Sequence, residues 1–328
     1  MRLPSVDVVE AVQFARKMAG RAQAHLVRAS DEHHYVVKFC NNPQGRRIPV
    51  NEWIASQLLQ FSGILAPQTA AVRIVPDFLE ANPNVHLGWR DERVPVEPGL
   101  HFGSRYPGDP ATTAVYDFLP DSLLAQTANL DQFRGILAYD KWLGNTDGRQ
   151  CVFYRAKAAP DRDGSRWVAS MIDNGLAFNG PHWNFPDSPI QAVYCRRAVY
   201  ETVRSLDDFQ PWLDQVVSFP EIVIQNAGEA IPVECGDRDR DELKRLLDRL
   251  CQRRERVPAL LRECCEGAPR SFPFWSPATI HPIPEQVDAL TFRLIGRIGG
   301  FLLSSKPVLK RMHVSPRHSL VPIFGLIT

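Results

Sequence analysis

The fold is decided by two stretches, Asp140-Lys-Trp-Leu-Gly-Asn-Thr-Asp-Gly-Arg-Gln150 and Met171-Ile-Asp-Asn-Gly175. Between them, the runs CVFYR and RWVASMID predict two short strands joined across a polar loop. If the strands pair as a hairpin, Asp147 and Asp173 lie at the same end of it. Each motif alone is also an ordinary Asp-Gly or Asn-Gly turn, so their order and spacing carry the argument.

Two carboxylates at one end of a hairpin suit phosphoryl transfer. One of them orients the attacking hydroxyl, while the other holds magnesium against the nucleotide phosphates. A metal-dependent phosphoesterase is a weaker interpretation of the same pair. Such sites normally gather several His and Asp ligands, and the sequence has no cluster of His residues at metal-binding spacing.

Lys38 and Glu52 are the candidate partners of these carboxylates. Lys38 lies alone in the apolar run YVVKF, where burying its ammonium carries a penalty. An edge strand would explain it as well. Glu52 follows near the start of a helix predicted over Asn51–Phe61, where it can either fix a phosphate-binding Lys or stabilise the helix terminus. The residues alone leave both alternatives open.

The remaining patterns predict two lobes of different composition. The N-terminal lobe, residues 1–106, is strand-rich: a short helix over Ser5–Met18 is followed by the hairpin AHLVRAS/HYVVKFC and the strand AAVRIVP. The second lobe, residues 107–265, is mostly helical, with one helix over LDQFRGILAYDKWLG that ends at Gly144. A long charged helix near its end carries Arg253, Arg254 and Arg256, which we interpret as solvated surface. We therefore predict an α+β fold of two lobes.

Residues 266–284 are rich in Pro and predict a linker, and residues 285–328 predict a basic amphipathic tail.

The 38 Lys and Arg residues balance 37 Asp and Glu residues, so the composition carries no direct nucleic-acid signal. Seven Cys without a CxxC pair and an N-terminus without an apolar signal core favour the cytoplasm. Cys264 and Cys265 are interpreted as unpaired packing residues. No apolar run reaches the length of a transmembrane helix.

Taken together, the loop at Gly20, AHLVR, YVVKF, NE, GNTDGRQ and IDNG resemble the HipA-like kinases, a branch of the protein-kinase-like superfamily related to phosphatidylinositol kinases. The resemblance extends from Met18 to Leu261. It implies ATP and Mg²⁺ as cofactors and a bilobal kinase-like fold.

The resemblance also assigns roles to individual residues. Lys38 would contact the nucleotide phosphates, Glu52 would position it, Asp147 would be the catalytic aspartate and Asp173 a metal ligand. The loop beginning at Gly20 would cover the phosphates, although GRAQAH lacks a GxGxxG pattern. HFGSRYP would be the strand that enters the adenine-binding hinge.

One position departs from the family pattern. Related kinases often have a metal-binding Asn five residues after the catalytic Asp, where this chain has Val152. Gln150 is a substitute metal ligand or a cap of the loop. We therefore expect an ATP- and Mg²⁺-dependent kinase acting on a hydroxyl, of protein Ser or Thr first and of a lipid or small molecule second. The alternative is a pseudokinase or interaction module that binds nucleotide without transferring phosphate.

Overall fold

The N-terminal lobe of the computed structural model is built from strands and two helices: β1 (Asp7–Lys17), β2 (His25–Ala29), β3 (His34–Lys38), α1 (Arg47–Phe61), β4 (Thr69–Ile74), α2 (Pro76–Ala81), β5 (His86–Trp89), β6 (Glu92–Pro95) and β7 (Gly99–Arg105). Five strands close into a barrel in the order β1-β2-β3-β7-β4. β5 and β6 form a separate hairpin. The structure describes residues 6–42, 45–157, 165–236 and 239–276.

The C-terminal lobe combines helices with a small sheet: β8 (Val115–Tyr116), α3 (Asp121–Leu124), α4 (Gln132–Leu143), β9 (Gln150–Lys157), β10 (Ser165–Ile172), α5 (Trp212–Val217), α6 (Glu221–Glu229), α7 (Val233–Gly236), α8 (Arg240–Arg253) and α9 (Val257–Gly267). The sheet has the order β10-β9-β8. The α+β prediction of a strand-rich lobe followed by a helical lobe is confirmed.

Helix α1 lies between the two lobes. Trp53 packs against Phe102 and Ala71 of the barrel wall, while Ile54 and Leu58 belong to the core of the helical lobe. The helix is therefore buried from Pro49 to Leu59. Because a helix buried on all sides has no solvated face, each polar residue on it must find a partner inside the protein.

The predicted hairpin that carries the two aspartates is confirmed. β9 and β10 pair antiparallel, with Gln150 opposite Ile172. Asp147 precedes the first of these strands and Asp173 follows the second, so both lie at the same end. Helix α4 stops where expected, because Gly144 adopts φ 59° and ends it in the left-handed conformation.

The helix predicted over Ser5–Met18 is wrong in its described part, which is strand β1. This strand pairs antiparallel with β2 and parallel with β4. Its register shifts between Ala11 and Gln13 and again between Phe14 and Arg16. These bulges interrupt the alternation of inward and outward residues, so the apolar positions imitate helical spacing.

Two smaller expectations also differ from the structure. Arg253 is buried rather than solvated, and its guanidinium donates to the carbonyl oxygens of Lys141 and Trp142. The beginning of the predicted linker packs on the helical lobe through Phe272, whose ring lies against Tyr200. The rest of that linker from residue 277, with the predicted tail, lies outside the described residues.

The cysteines show one difference and one agreement. Cys40 and Cys235 form a disulfide, with their Cα atoms 5.0 Å apart. A separation of 195 residues leaves no local spacing from which this pair could be predicted. Cys264 and Cys265 are buried and unpaired, as expected. Within the described part of the chain, every helix is too short or too polar to cross a bilayer.

Candidate active site

Lys38 lies at the centre of the candidate site. Its strand, β3, runs between β2 and β7, so the edge-strand explanation does not apply. Only 9% of the residue is exposed. Its ammonium donates to Glu52 Oε1 and, over 3.0 Å, to Asp173 Oδ1. The structure thus brings together three of the predicted site residues.

Glu52 reaches Lys38 from the second turn of α1, beyond the positions where it would stabilise the helix terminus. It is 2% exposed. The chain passes close to it at Gly175, where an added Cβ would lie 3.4 Å from Glu52 Oε1 and 2.8 Å from Ile48 Cγ2. A glycine is therefore needed at this position for the loop after Asp173 to approach the helix.

The charges of this cluster depend on one another. Burial alone would lower the pKa of Lys38, but the charges of Glu52 and Asp173 outweigh it and raise the pKa above its usual value. Burial would raise the pKa of Asp173, yet the Lys38 ammonium holds it below its usual range. Burial dominates at Glu52 and raises its pKa despite the neighbouring Lys38. The site therefore keeps a charged Lys beside an ionised Asp173.

Asp147 is half-buried in the loop between α4 and β9. Its Oδ1 accepts the backbone N–H of Gly148 over 2.8 Å, and its own N–H donates to Asn145 Oδ1 over 3.1 Å. Gln150 Nε2 lies 3.3 Å from Asp147 Oδ2. The two carboxylate oxygens thus have neutral donors, and the side chain remains partly exposed.

The two aspartate loops are joined by a buried ion pair that sequence reasoning missed. Arg149 and Asp140 both have fully buried side chains and bind each other through two guanidinium nitrogens. Arg149 Nη1 also donates to the Ile172 carbonyl over 2.7 Å, and to Asn174 Oδ1 over 3.2 Å. A possible signal was Asp140 within the apolar helical run LAYDKW, since a buried charge requires a partner.

The other three positions considered in the sequence, Gly20, Gln150 and Val152, lie outside the cluster of Lys38, Glu52 and Asp173. Gly20 lies in the turn between β1 and β2 with φ 112°, and in the described residues no hydrogen bond joins it to Lys38, Glu52 or Asp173. Gln150 presents its amide nitrogen to Asp147. Val152 lies on β9 opposite Ser170 and supplies no polar atom in place of the family's Asn.

Residues 9–153 match the HipA-like kinase family. The matched range includes Lys38, Glu52, Asp147 and Gln150, and it ends before Asp173. The predicted resemblance is confirmed over this range, and it supports a kinase-like function. No curated protein sequence matches the chain.

Solved structures that show similarity to this chain include two of the Golgi casein kinase. One of these, with Mn/ADP bound, has 12% identity and a TM-score of 0.42, and the other has 11% identity and a TM-score of 0.43. Each similarity covers 80% of this chain and 74% of the other. The Helicobacter pylori proinflammatory kinase CtkA has 14% identity and a TM-score of 0.42, over 80% of this chain and 99% of that one.

The residues present are compatible with a magnesium ion held together with nucleotide. Magnesium is commonly bound through one or two carboxylates and the phosphates of the substrate. The Asp173 side chain is 34% exposed and ionised beside Lys38. Asp173 would hold such an ion, and Gln150 remains the predicted second ligand through its amide oxygen.

Proposed function

We propose that this chain is an ATP- and Mg²⁺-dependent kinase that transfers phosphate to a hydroxyl group of protein Ser or Thr. The observation that carries the proposal is the placement of Lys38 between Glu52 and Asp173. A strand Lys paired with a helix Glu, and an Asp beside them, are the parts that kinases use to hold nucleotide phosphates. The match of residues 9–153 to the HipA-like kinases supports the same function.

In this proposal each residue has one task. Lys38 binds the nucleotide phosphates, and Glu52 holds the Lys38 ammonium in place before nucleotide arrives. Asp147 orients the acceptor hydroxyl and accepts its proton, while the bond from phosphorus to the acceptor oxygen forms and the bond to the oxygen of the leaving ADP breaks. Bound magnesium would supply positive charge at the phosphate oxygens. Asp173 would hold that ion through its carboxylate, which lies beside Lys38.

The rigid surroundings of Asp147 support its role. Its backbone N–H is fixed by Asn145, whose Nδ2 donates to Asp140 over 3.0 Å. Its carbonyl accepts the N–H of Ala192 over 3.1 Å. Both bonds hold the loop through backbone atoms of Asp147, and the carboxylate oxygens accept only from the neutral donors of Gly148 and Gln150, so the side chain can still receive a proton.

The test compares two carboxylate variants with a matched control. Asp173→Asn should reduce the stabilisation by ATP plus Mg²⁺ to that by ATP alone, because it removes the charge without changing the size. In the wild type, a ligand at about a hundredfold excess over its Kd adds about 2.7 kcal/mol to the free energy of unfolding. Asp147→Asn should keep that stabilisation but lose phosphate transfer from labelled ATP to lysate proteins. Thermal melts and autoradiography measure the two effects.

Asp121→Asn provides the control, because Asp121 forms an exposed ion pair with Arg196 in the helical lobe. Its melting temperature should rise with ATP plus Mg²⁺ as much as that of the wild type, and it should retain phosphate transfer. An Asp173→Asn protein with an undiminished Mg²⁺ response would remove Asp173 from the metal site. If the wild type binds ATP but phosphorylates neither itself nor protein or lipid acceptors, the pseudokinase alternative replaces the kinase. Val152 is the observation that favours this alternative.

A further inference from the structure

Asn51, the residue before Glu52, forms an unusually complete set of buried hydrogen bonds. It is 0% exposed. Its amide nitrogen lies 2.8, 3.0 and 2.9 Å from the carbonyl oxygens of Gly175, Ala177 and Gly180. Its Oδ1 accepts the indole N–H of Trp183 over 2.7 Å. One side chain on α1 thus binds four positions of the segment that follows Asp173.

This segment, residues 174–183, has little regular structure with which to satisfy its own carbonyl groups. Phe178 and Asn179 have φ values of 59° and 64°, in the left-handed region that non-glycine residues seldom adopt. Asp173 itself has φ 58°. Buried carbonyl groups without donors are costly, and strained residues persist only where their surroundings hold them. Asn51 is a donor that stabilises this conformation.

The neighbouring residues of α1 hold the same segment at other points. The backbone N–H of Asn174, directly after Asp173, lies near enough to the Glu52 carboxylate to lower its pKa. Arg47 donates to the Pro181 carbonyl over 3.0 Å, and its guanidinium lies 4.1 Å from the centre of the Trp183 ring. The helix that carries Glu52 therefore also determines where the Asp173 backbone lies. Asn51 makes the most buried of these contacts.

We propose that Asn51 is a positioning residue, which fixes the Asp173 carboxylate in register with Lys38 and Glu52. The inference rests on the proposed function in one respect, namely that Asp173 binds nucleotide and metal. The ordering of residues 174–183 by Asn51 does not depend on phosphate transfer. The ordering and the effect on Mg²⁺ are therefore measured separately.

The structural measurement is hydrogen exchange in the full chain without nucleotide. Asn51→Ala should speed exchange of the Ala177, Asn179 and Gly180 amides by about tenfold or more, because the segment opens more often. Asn129→Ala is the matched control. Asn129 donates to the Ala169 carbonyl over 2.8 Å and accepts the Ala169 N–H over 2.9 Å, away from this segment. Unchanged exchange in Asn51→Ala, or an equal increase in the control, would overturn the proposal.

The functional measurement is the Mg²⁺ concentration that half-saturates the ATP-dependent thermal shift. Asn51→Ala should raise it about tenfold, as expected when a residue that orients a metal ligand is lost. The affinity for ATP without Mg²⁺ should stay within about twofold, since Lys38 and Glu52 remain. A merely destabilising change would lower the melting temperature without altering this Mg²⁺ dependence, as expected for Asn129→Ala.

Trp183→Phe is the second variant, and it decides the matter if Asn51→Ala does not fold. It keeps an aromatic ring beside Arg47 but removes the donor to Asn51 Oδ1. It should therefore speed amide exchange and raise the half-saturating Mg²⁺ concentration, each by less than Asn51→Ala does. A folded Trp183→Phe protein without either shift contradicts the positioning role. If the wild type shows no Mg²⁺ response at all, the proposed function fails, and the exchange data still decide whether Asn51 orders the segment.

Discussion

Lys38 cannot be removed without a consequence for Glu52. Glu52 is buried, and without the Lys38 ammonium its negative charge would lose the cation with which it forms an ion pair. Breaking a buried ion pair from one side typically costs about 3–5 kcal/mol. We expect Lys38→Met to lower the free energy of unfolding by about that amount at neutral pH, as measured by urea denaturation. The double variant Lys38→Met/Glu52→Gln should regain much of the loss.

The pH dependence of the single variant provides a control. In Lys38→Met, burial keeps the pKa of Glu52 raised in the folded state, so the folded chain binds a proton that the unfolded chain releases. Stability is then retained below the unfolded pKa of Glu52 and falls as the pH rises through the folded pKa. The double variant should lack this fall. Equal losses of stability in both variants would mean that Glu52 does not depend on Lys38.

At the scale of the element, helix α4 is packed so closely that one glycine sets its distance from α5. A Cβ on Gly135 would lie 2.7 Å from Cγ of Trp212. Within a helix, alanine is more favourable than glycine by about 1 kcal/mol, whereas overpacking a core costs about 1–3 kcal/mol. We expect the clash to dominate, so that Gly135→Ala melts at a lower temperature than the wild type.

Gly148→Ala is the matched control for this substitution. No atom lies within 4 Å of the added Cβ at Gly148, so its stability should stay within about 0.5 kcal/mol of the wild type. A Gly135→Ala protein as stable as this control would show that the Trp212 ring moves aside without cost. The packing of α4 matters for the site because Asp140 and the start of the Asp147 loop both belong to its C-terminal end.

At the scale of the whole molecule, the Cys40–Cys235 disulfide joins the turn after β3 to helix α7. The disulfide and the reducing environment expected from the cysteine pattern predict different numbers of free thiols. If the pair is oxidised, alkylation of the unfolded chain without reductant labels the five free cysteines, and reduction raises the number to seven. Reduction should also lower the free energy of unfolding by about 2–4 kcal/mol. Seven labelled residues without reductant would show that both are free thiols.

The sequence by itself determined the features that local patterns encode. The β9–β10 hairpin was predictable because both strands and their turn residues lie within one short stretch. The location of Asp147 and Asp173 at the same end of the hairpin followed from this pairing. The end of α4 at Gly144 was predictable for the same reason, since a left-handed glycine stops a helix without distant partners. Lys38 and Glu52 were identified as candidates by a charged residue in an apolar strand and by family resemblance.

Tertiary structure alone decided which distant groups meet. Strand β1 pairs with β4, whose residues follow more than fifty positions later, and its bulges conceal the strand period in the sequence. Asn51 and Arg149 each bind backbone carbonyls that follow β9, and a backbone carbonyl leaves no trace in residue type. The physical reason is that periodicity and turn chemistry act over a few residues. The partner of a buried polar group, by contrast, depends on how separate segments pack.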